Sequence, residues 1–405
     1  MADKKRAVII IENSSIPYDI RVWYEALSLR DNGWDVTVIC PCLTSAHLEA
    51  YKSTNPRDLE GITLYQFELK IAEEGIIGYF LEYWSAFFNI MKISWRVWKN
   101  EKFDTIQFCN PPDIFFPLGI FYRLLGVGVI FDLHDLFPEF VASRYKGFKG
   151  RLLGFVAQVT EFLSFRSSHV VITTNESYQS VAVQRGRLQK DRVKVVRNGP
   201  RIEQFSPVEP DLKLKQGFRY MACYAGVMGH LDGVLELQES IRYILQELNR
   251  SDIFFVLLGN GAVYQEVIEQ NQKLGIQANV YMPGMIRDKN LLVKYLSTSD
   301  VCLSPEPYTP LNAISTFIKI GEYMAVGKPV VAYDLVESRY TAQEAGVYVT
   351  PGNYKEYARA ILSLMDDPEK REVMGKFGRE RITNTLRWGI QEKKLLQAYQ
   401  FALEG

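Results

Sequence analysis

Lys319 and Glu322 stand three residues apart in the stretch NAISTFIKIGEYMAVGKPVVAYD (312–334), which reads as a polar loop, an amphipathic helix, a glycine turn and a buried strand. Residues at that spacing lie one turn above each other on one helix face. A cation with a carboxylate one turn deeper suits a nucleoside diphosphate: the cation meets phosphate, and the carboxylate meets the two ribose hydroxyls. Asn312 and Ser315 are candidate N-caps, so open backbone N–H groups are expected near Thr316 and Phe317. A phosphate binds such a helix start without any side chain. Gly327 should end the helix, and Val330, Val331 and Ala332 then form a short buried strand. The competing reading is an ordinary helix–turn–strand unit of an α/β protein.

A second candidate centre is FDLHDLFPE (131–139), which follows an apolar run. His134 and Asp135 then sit at a strand's carboxyl end, where ligands of parallel sheets bind. Of the four histidines (His47, His134, His169, His230), His134 is the one placed to donate to a sugar hydroxyl or a developing oxyanion, with Asp135 either fixing its tautomer or binding elsewhere. A structural histidine is the alternative.

These residues need a frame, and the chain is long enough for two. A length of 405 residues exceeds what one hydrophobic core usually serves. Apolar and charged fractions of 47% and 23% are those of a globular protein, and 47 basic against 47 acidic residues argue against a general nucleic-acid binder. Cys40, Cys42, Cys109, Cys223 and Cys302 lie in or beside apolar runs and read as reduced core thiols of a cytosolic protein. MADKKRAVIIIENSS reads as a first strand, not a signal peptide, and no run of apolar residues is long enough to span a membrane. Short apolar runs alternate with helical patterns throughout. Strands are expected at 7–11, 36–40, 62–67, 105–108, 127–132, 170–173 and 193–196, then at 219–224, 253–258, 279–282, 301–304, 329–333 and 346–349. Pro207, Pro210 and Gly217 mark a break around 201–218. The segment 78–100, GYFLEYWSAFFNIMKISWRVWKN, is unusually aromatic, with Lys92, Arg96 and Lys99 at helical spacing; RYKGFKGRLLGFV (144–156) adds more basic and apolar residues. It reads either as an interfacial helix touching a membrane with a lipid-linked acceptor, or as a core helix with a basic edge.

Several of these stretches resemble motifs of the family 4 (group 1) retaining glycosyltransferases. GEYMAVGKPVVA (321–332) is similar to the second half of that family's donor-site pattern, in which a Glu at the place of Glu322 holds the ribose. The pattern's first Glu would fall at Ile314 and is missing; Lys319 before Glu-Tyr-Met resembles a sub-branch that writes S-x-P-x-K-x-x-E-Y-M, with Phe317 in the Pro place. The loop after the first strand is usually glycine-rich in that family, but here it is PYDIRVWYEA (17–26); Asp19 and Arg21 are either acceptor or donor-phosphate contacts, or a first-turn acid placed for the helix dipole and a solvated neighbour. Asn110 in NPPD (110–113) and Glu176 in TTNE (173–176) resemble acceptor-side loops, with Glu176 either contacting the acceptor or capping the next helix, and RNGPRIEQFSP (197–207) resembles the hinge. YAGVMGHLDGV (224–234) stands where the family carries a basic phosphate-binding loop, yet Met228 and Asp232 occupy its Arg and Lys places. The resemblance then leaves Gly226, Gly229, Lys319, the helix start and Arg287 to meet the diphosphate, with Gly259 and Gly261 in the next loop.

The resemblance implies a GT-B architecture: two Rossmann-like, doubly wound parallel-sheet α/β domains facing across a cleft. The expected acceptor domain is 1–200, with a final helix at 387–405 packing back on it, and the donor domain is 201–386. It implies transfer of a sugar from a nucleoside-diphosphate sugar to an acceptor hydroxyl, with retention, without metal or cofactor, in cell-surface polysaccharide or glycolipid synthesis. The acceptor is then a glycan or lipid-linked glycan, and the protein is cytoplasmic, peripheral on the inner membrane face. A non-catalytic nucleotide-sugar-binding subunit is a second reading, supported by Ile314, Met228 and Asp232. A GT-B epimerase would need a pair of acid/base carboxylates that does not stand out, and a two-lobed periplasmic binding protein would need a signal peptide.

Overall fold

The computed structural model describes residues 4–42, 56–69, 76–145 and 147–405; His47 and Lys146 fall outside them. The chain divides into two compact units. Unit 1 is Met1–Arg197 with Gln391–Gly405, and unit 2 is Asn198–Ile390.

Unit 1 is built on strands β1 (Arg6–Ile10), β2 (Asp35–Cys42), β3 (Arg57–Leu59), β4 (Ile62–Glu68), β5 (Thr105–Cys109), β6 (Gly128–Leu133), β7 (Val170–Thr173) and β8 (Val193–Val195). Their order is β3-β4-β2-β1-β5-β6-β7-β8. All neighbours run parallel except β3 and β4, which pair antiparallel with Asp58 opposite Thr63. The three residues of β3, Arg-Asp-Leu, carry no apolar alternation, and sequence reasoning missed them for that reason.

Unit 2 is built on β9 (Tyr220–Ala225), β10 (Ile253–Leu258), β11 (Val280–Gly284), β12 (Val301–Ser304), β13 (Val330–Tyr333) and β14 (Gly346–Val349). They run parallel in the order β11-β10-β9-β12-β13-β14. Every residue of β10, Ile-Phe-Phe-Val-Leu-Leu, is buried. Alternate residues enter opposite cores: Ala222, Tyr224, Phe255 and Leu257 on one face, and Met221, Cys223, Phe254 and Val256 on the other. Two covered faces explain why these strands are apolar throughout. All five cysteines are buried and free.

The last helix, Trp388–Glu404, packs within unit 1 from Gln391 onward. The Tyr399 hydroxyl donates to Gln107 Oε1 at 2.7 Å, and its ring meets Trp34 edge-on at 5.4 Å. Gly128 opens β6 because a Cβ there would lie 2.5 Å from the Ala402 carbonyl.

Each sheet has one point where the strand order turns back, between β1 and β5 in unit 1 and between β9 and β12 in unit 2. The loops that leave the carboxyl ends of these strands diverge and open a crevice.

Candidate active site

In unit 2 the crevice loops hold a buried charge cluster. Lys319 Nζ pairs with Glu306, lies 3.6 Å from Asp232 Oδ1, and donates to the Tyr224 hydroxyl at 3.1 Å. Burial alone would lower the Lys319 pKa, but Glu306, Tyr224 and Asp232 outweigh it and raise it, so the ammonium stays charged. Lys319 was expected to face phosphate as a free cation. Instead two carboxylates already surround it, and Gly226 is what makes room, since a Cβ there would meet Lys319 Cε at 2.7 Å. Glu306, in Ser304-Pro305-Glu306-Pro307 just after β12, escaped sequence reasoning, although an acid at a strand's carboxyl end was its signal.

The helix itself spans Ile318–Ala325 and starts later than expected. Its N-cap is Phe317, which offers no side-chain cap. Asn312 lies in a short 3-10 turn and donates to the carbonyls of Leu231 and Pro307, both at 2.9 Å. Ser315 Oγ donates to Leu311 O at 2.8 Å, and Thr316 Oγ1 lies 3.5 Å from Glu337. Asn312 and Ser315 therefore shape the loop and do not cap the helix, because the turn closes on itself before the helix begins. Glu322 is half-buried, and its carboxylate has no hydrogen-bond partner among the described residues. Burial raises its pKa, opposed by Lys289 and Lys319. Lys289, also within reach of the Phe205 ring at 4.5 Å, is a second cation that sequence reasoning missed. Arg287 is exposed and makes no ion pair among the described residues.

The glycines were expected to let backbone approach phosphate, and most serve the protein instead. Gly226 N donates to Leu258 O at 2.9 Å and Gly229 N to Asp232 Oδ2 at 2.9 Å. A Cβ on Gly259 would run into the Gly226 carbonyl, and one on Gly261 into that of Met228, because the loops after β9 and β10 lie backbone to backbone. Gly259 also sits at φ +145°, a conformation closed to L side chains. Gly259→Ala is expected to destabilise unit 2 by about 2–3 kcal/mol, read as an earlier urea midpoint with an unchanged slope. An unchanged midpoint would mean that the loops are free to separate.

In unit 1 the corresponding loops carry a second buried network. Asp132, the penultimate residue of β6, accepts from Arg21 Nε at 3.1 Å and Nη2 at 2.7 Å, and lies 2.7 Å from His134 Nε2. Gln107 donates to Asp132 at 3.2 Å and to Glu25 at 2.7 Å. For Asp132, burial would raise the pKa, yet Arg21 and His134 outweigh it and hold the carboxyl well below its ordinary range. For His134, burial would lower the pKa, yet Asp132 outweighs it and holds the ring charged well above 6.5. Sequence reasoning offered Asp135 for the orienting role; the structure puts Asp132 there, since His134 turns back from just beyond β6 onto the Asp132 carboxylate. Asp135 is exposed and meets Asn110 only through its backbone.

The expected acceptor-side residues are used internally. Asp19 caps the helix Ile20–Asp31 by accepting from Val22 N at 3.1 Å. Arg21 is buried against Asp132, with a further bond to Val196 O at 2.8 Å, so its charge is matched inside the unit. Asn110 is buried and braces the loop after β6, accepting from His134 N at 2.6 Å and donating to Asp135 O at 2.7 Å. Glu176 opens the helix Glu176–Gly186, capped by Asn175, and pairs with Arg197. Among the described residues, Cys109, Asp132 and His134 are the one group whose metal-ligating atoms lie together, within 4.8 Å. Arg21 already occupies Asp132, and burial pushes the Cys109 thiol up to about 12, so the set is satisfied as an ion pair.

Two family models match the chain. Residues 20–204 match Glycosyltransferase Family 4, and residues 219–367 match Glycosyl transferases group 1. The chain belongs to the family 4 glycosyltransferases. An uncharacterised glycosyltransferase of Methanocaldococcus jannaschii is 25% identical over 259 residues, which are 60% of this chain and 63% of that one. The chain thus matches less than two thirds of that relative's length. Among solved structures, sucrose-phosphate synthase from Thermosynechococcus elongatus superposes with a TM-score of 0.74 at 18% identity, covering 98% of both chains. Anabaena HepE in complex with UDP-glucose superposes with a TM-score of 0.72 at 15% identity, covering 98% of this chain and 99% of that one. The architecture is that of the GT-B enzymes. Where the resemblance puts a basic loop, this family 4 glycosyltransferase has Met228 in the core and Asp232 beside Lys319.

One carboxyl in unit 1 has no partner at all among the described residues. Glu12, just past β1, is fully buried with neither oxygen hydrogen-bonded. Burial, with Glu82 adding to it, pushes its pKa up to about 8 from 4.5. The folded state therefore holds a proton that the unfolded state releases above 4.5, so stability falls as pH rises from 4.5 towards 8. Glu12→Gln is expected to remove on the order of 2 kcal/mol of that fall, measured as the difference in thermal midpoint between pH 5 and pH 8. A slope unaltered by the substitution would refute a buried neutral Glu12.

Proposed function

We propose that this protein transfers a glycosyl group from a nucleoside-diphosphate sugar to an acceptor hydroxyl with retention, without a metal ion. The observation that carries the reading is Glu322: a half-buried carboxylate with no hydrogen-bond partner among the described residues, one turn from Lys319, with Lys289 and Lys319 opposing the rise that burial gives its pKa. Two ribose hydroxyls would satisfy both oxygens, and the diphosphate would follow toward Lys289, Arg287 and the start of the helix Ile318–Ala325. That HepE is described in complex with UDP-glucose supports a nucleotide sugar as the ligand class.

In the proposed reaction the C1–O bond to the leaving phosphate breaks with its electron pair on that oxygen. The acceptor oxygen bonds to C1 on the same face, and its proton passes to the leaving phosphate. No protein nucleophile is needed, and the chain's contribution is positioning and charge. The charged imidazole of His134, held by Asp132, is assigned to the sugar or the departing oxygen. We assign donor binding to unit 2 and acceptor recognition to unit 1. The acceptor is a glycan or lipid-linked glycan of cell-surface assembly, met by a cytoplasmic protein at the membrane face; among the described residues, no helix is long and apolar enough to cross a membrane.

One observation favours a second reading, a nucleotide-sugar-binding subunit without turnover. The Lys319–Glu306–Asp232 cluster has two carboxylates for one ammonium, which leaves that cation no spare charge for phosphate. A panel of UDP-, GDP- and dTDP-sugars, assayed for thermal shift and for slow hydrolysis, separates the readings. One donor that both stabilises the protein and is hydrolysed supports the enzyme. Binding without turnover, even with lipid or glycan acceptors added, supports the subunit. No binding by any donor removes both.

A further inference from the structure

Three helices of unit 1 present apolar side chains outward, where helix surfaces are ordinarily polar. After β4 the chain reverses its direction across the sheet, and right-handed crossovers put every later connecting helix on one face. Ile76–Glu101, Phe116–Leu124 and Gly147–Ser167 share that face, with Trp95 edge-on to Phe121 at 5.5 Å and a Gly119 Cβ position 3.0 Å from Ser167 Oγ. Leu81, Trp84, Phe88 and Met91 are exposed at helical spacing on the first helix. Phe148, Leu152, Phe155 and Val159 do the same on the third, and Ile120, Phe121 and Leu124 on the second. Leu124 and Phe148 are 81% and 80% exposed, so among the described residues nothing covers those two side chains. Exposed apolar stripes on neighbouring helices mark an interaction site.

Two grooves open on either side of Lys92 and Trp95. One, of about 650 Å³, is lined by Phe87, Phe88, Met91, Trp95 and Phe121. The other, of about 440 Å³, is lined by Lys92, Arg96 and Lys99 with Asn89 and Asn100. None of these three cations is in an ion pair among the described residues; Lys99 lies over the Trp95 ring and Arg96 over the Tyr65 ring, both at 5.4 Å. Arg123, Lys149 and Arg151 are exposed on the two neighbouring helices. An apolar slot beside three cations without an ion pair among the described residues has the complementarity of an amphiphile with a hydrocarbon tail and an anionic head.

We propose that this face of unit 1 docks on an anionic phospholipid bilayer, taking one acyl chain into the groove at Phe88 and Phe121 and the head-group phosphate against Lys92, Arg96 and Lys99. A second copy of the chain fits less well, because the same basic rim would meet itself. The inference rests on the peripheral-membrane part of the reading above and on none of the donor chemistry, so vesicle binding and nucleotide-sugar binding fail separately.

The test is flotation of the full chain with vesicles of phosphatidylcholine alone and of phosphatidylcholine mixed with phosphatidylglycerol. The wild type is expected to float with the mixed vesicles and to be released in part by salt. Lys92→Glu/Arg96→Glu/Lys99→Glu should weaken that binding roughly a hundredfold. Leu124→Ser/Phe148→Ser/Leu152→Ser should lose the fraction that survives high salt. All six positions are exposed, and unchanged thermal midpoints would show that both variants fold. The proposal is overturned if the wild type floats with neither vesicle, or equally with both. It is also overturned if the charge-reversed variant floats as well as the wild type, or if the chain is a dimer that the apolar variant dissolves.

Discussion

Glu322→Ala is expected to weaken nucleotide-sugar binding by about a hundredfold while making the unliganded protein more stable. The two effects have opposite signs because they arise from one fact, a half-buried carboxylate that burial makes costly to ionise and that has no hydrogen-bond partner among the described residues. Two charge-assisted bonds to ribose, net of the water they replace, are worth about 2–3 kcal/mol, which is the hundredfold. Without ligand the same carboxylate costs stability. Its pKa is raised in the folded state, so stability falls as pH climbs above 4.5, and removing the group removes that fall. A gain of about 1 kcal/mol at neutral pH, or about 2–4 °C in thermal midpoint, is expected for a unit of this size. Isothermal titration with the donor and a melting curve without it are the two measurements. A variant that loses both affinity and stability would show Glu322 to be a structural residue.

The second large effect is expected at Asp132. Asp132→Ala removes the carboxylate that pairs with both the buried Arg21 guanidinium, which keeps Glu25 at 3.2 Å, and His134. Breaking one side of a buried ion pair costs about 3–5 kcal/mol. The pH dependence has a definite form. Asp132 is depressed in the folded state, so its contribution is present above 3.8 and fades as pH falls through the depressed value. His134 is raised, so its contribution is present below 6.5 and fades as pH rises through the raised value. The gap between wild type and variant should therefore be widest between those two ordinary values, in denaturant titrations at a series of pH values. Asp132→Asn keeps the shape and removes the charge, so the His134 imidazole should titrate lower by NMR, and sugar transfer at pH 8 should drop at least tenfold. If the imidazole pKa stays where it was, Asp132 does not set it.

Much of this was legible from residues alone because parallel strands buried on both faces write themselves as unbroken apolar runs. Ile253–Leu258 and Val170–Thr173 are bounded in the fold where the sequence bounds them. The two α/β domains and the position of Glu322 on a helix after β12 follow from local patterns, while the family and the GT-B architecture came from the resemblance of the quoted motifs. What the sequence could not express is which charges meet. Arg21 and Asp132 are 111 residues apart, and only the pairing of β5 with β6 and the packing of the first helix bring them to 2.7 Å. Lys319 finds Glu306 and Asp232 in the same way, through loops that leave β12 and β9 side by side. A charged residue near a strand's end reads the same whether it awaits a ligand or already has a partner. The sequence by itself determined the two sheets, the helices between them and a short roster of polar residues at the crevices. Tertiary structure alone decided that Arg21, Asn110 and Lys319 are held by the protein while the Glu322 carboxylate is left without a hydrogen bond among the described residues. The physical reason is that burial makes an unmatched charge costly, so most candidates are neutralised by neighbours that lie far away in the chain.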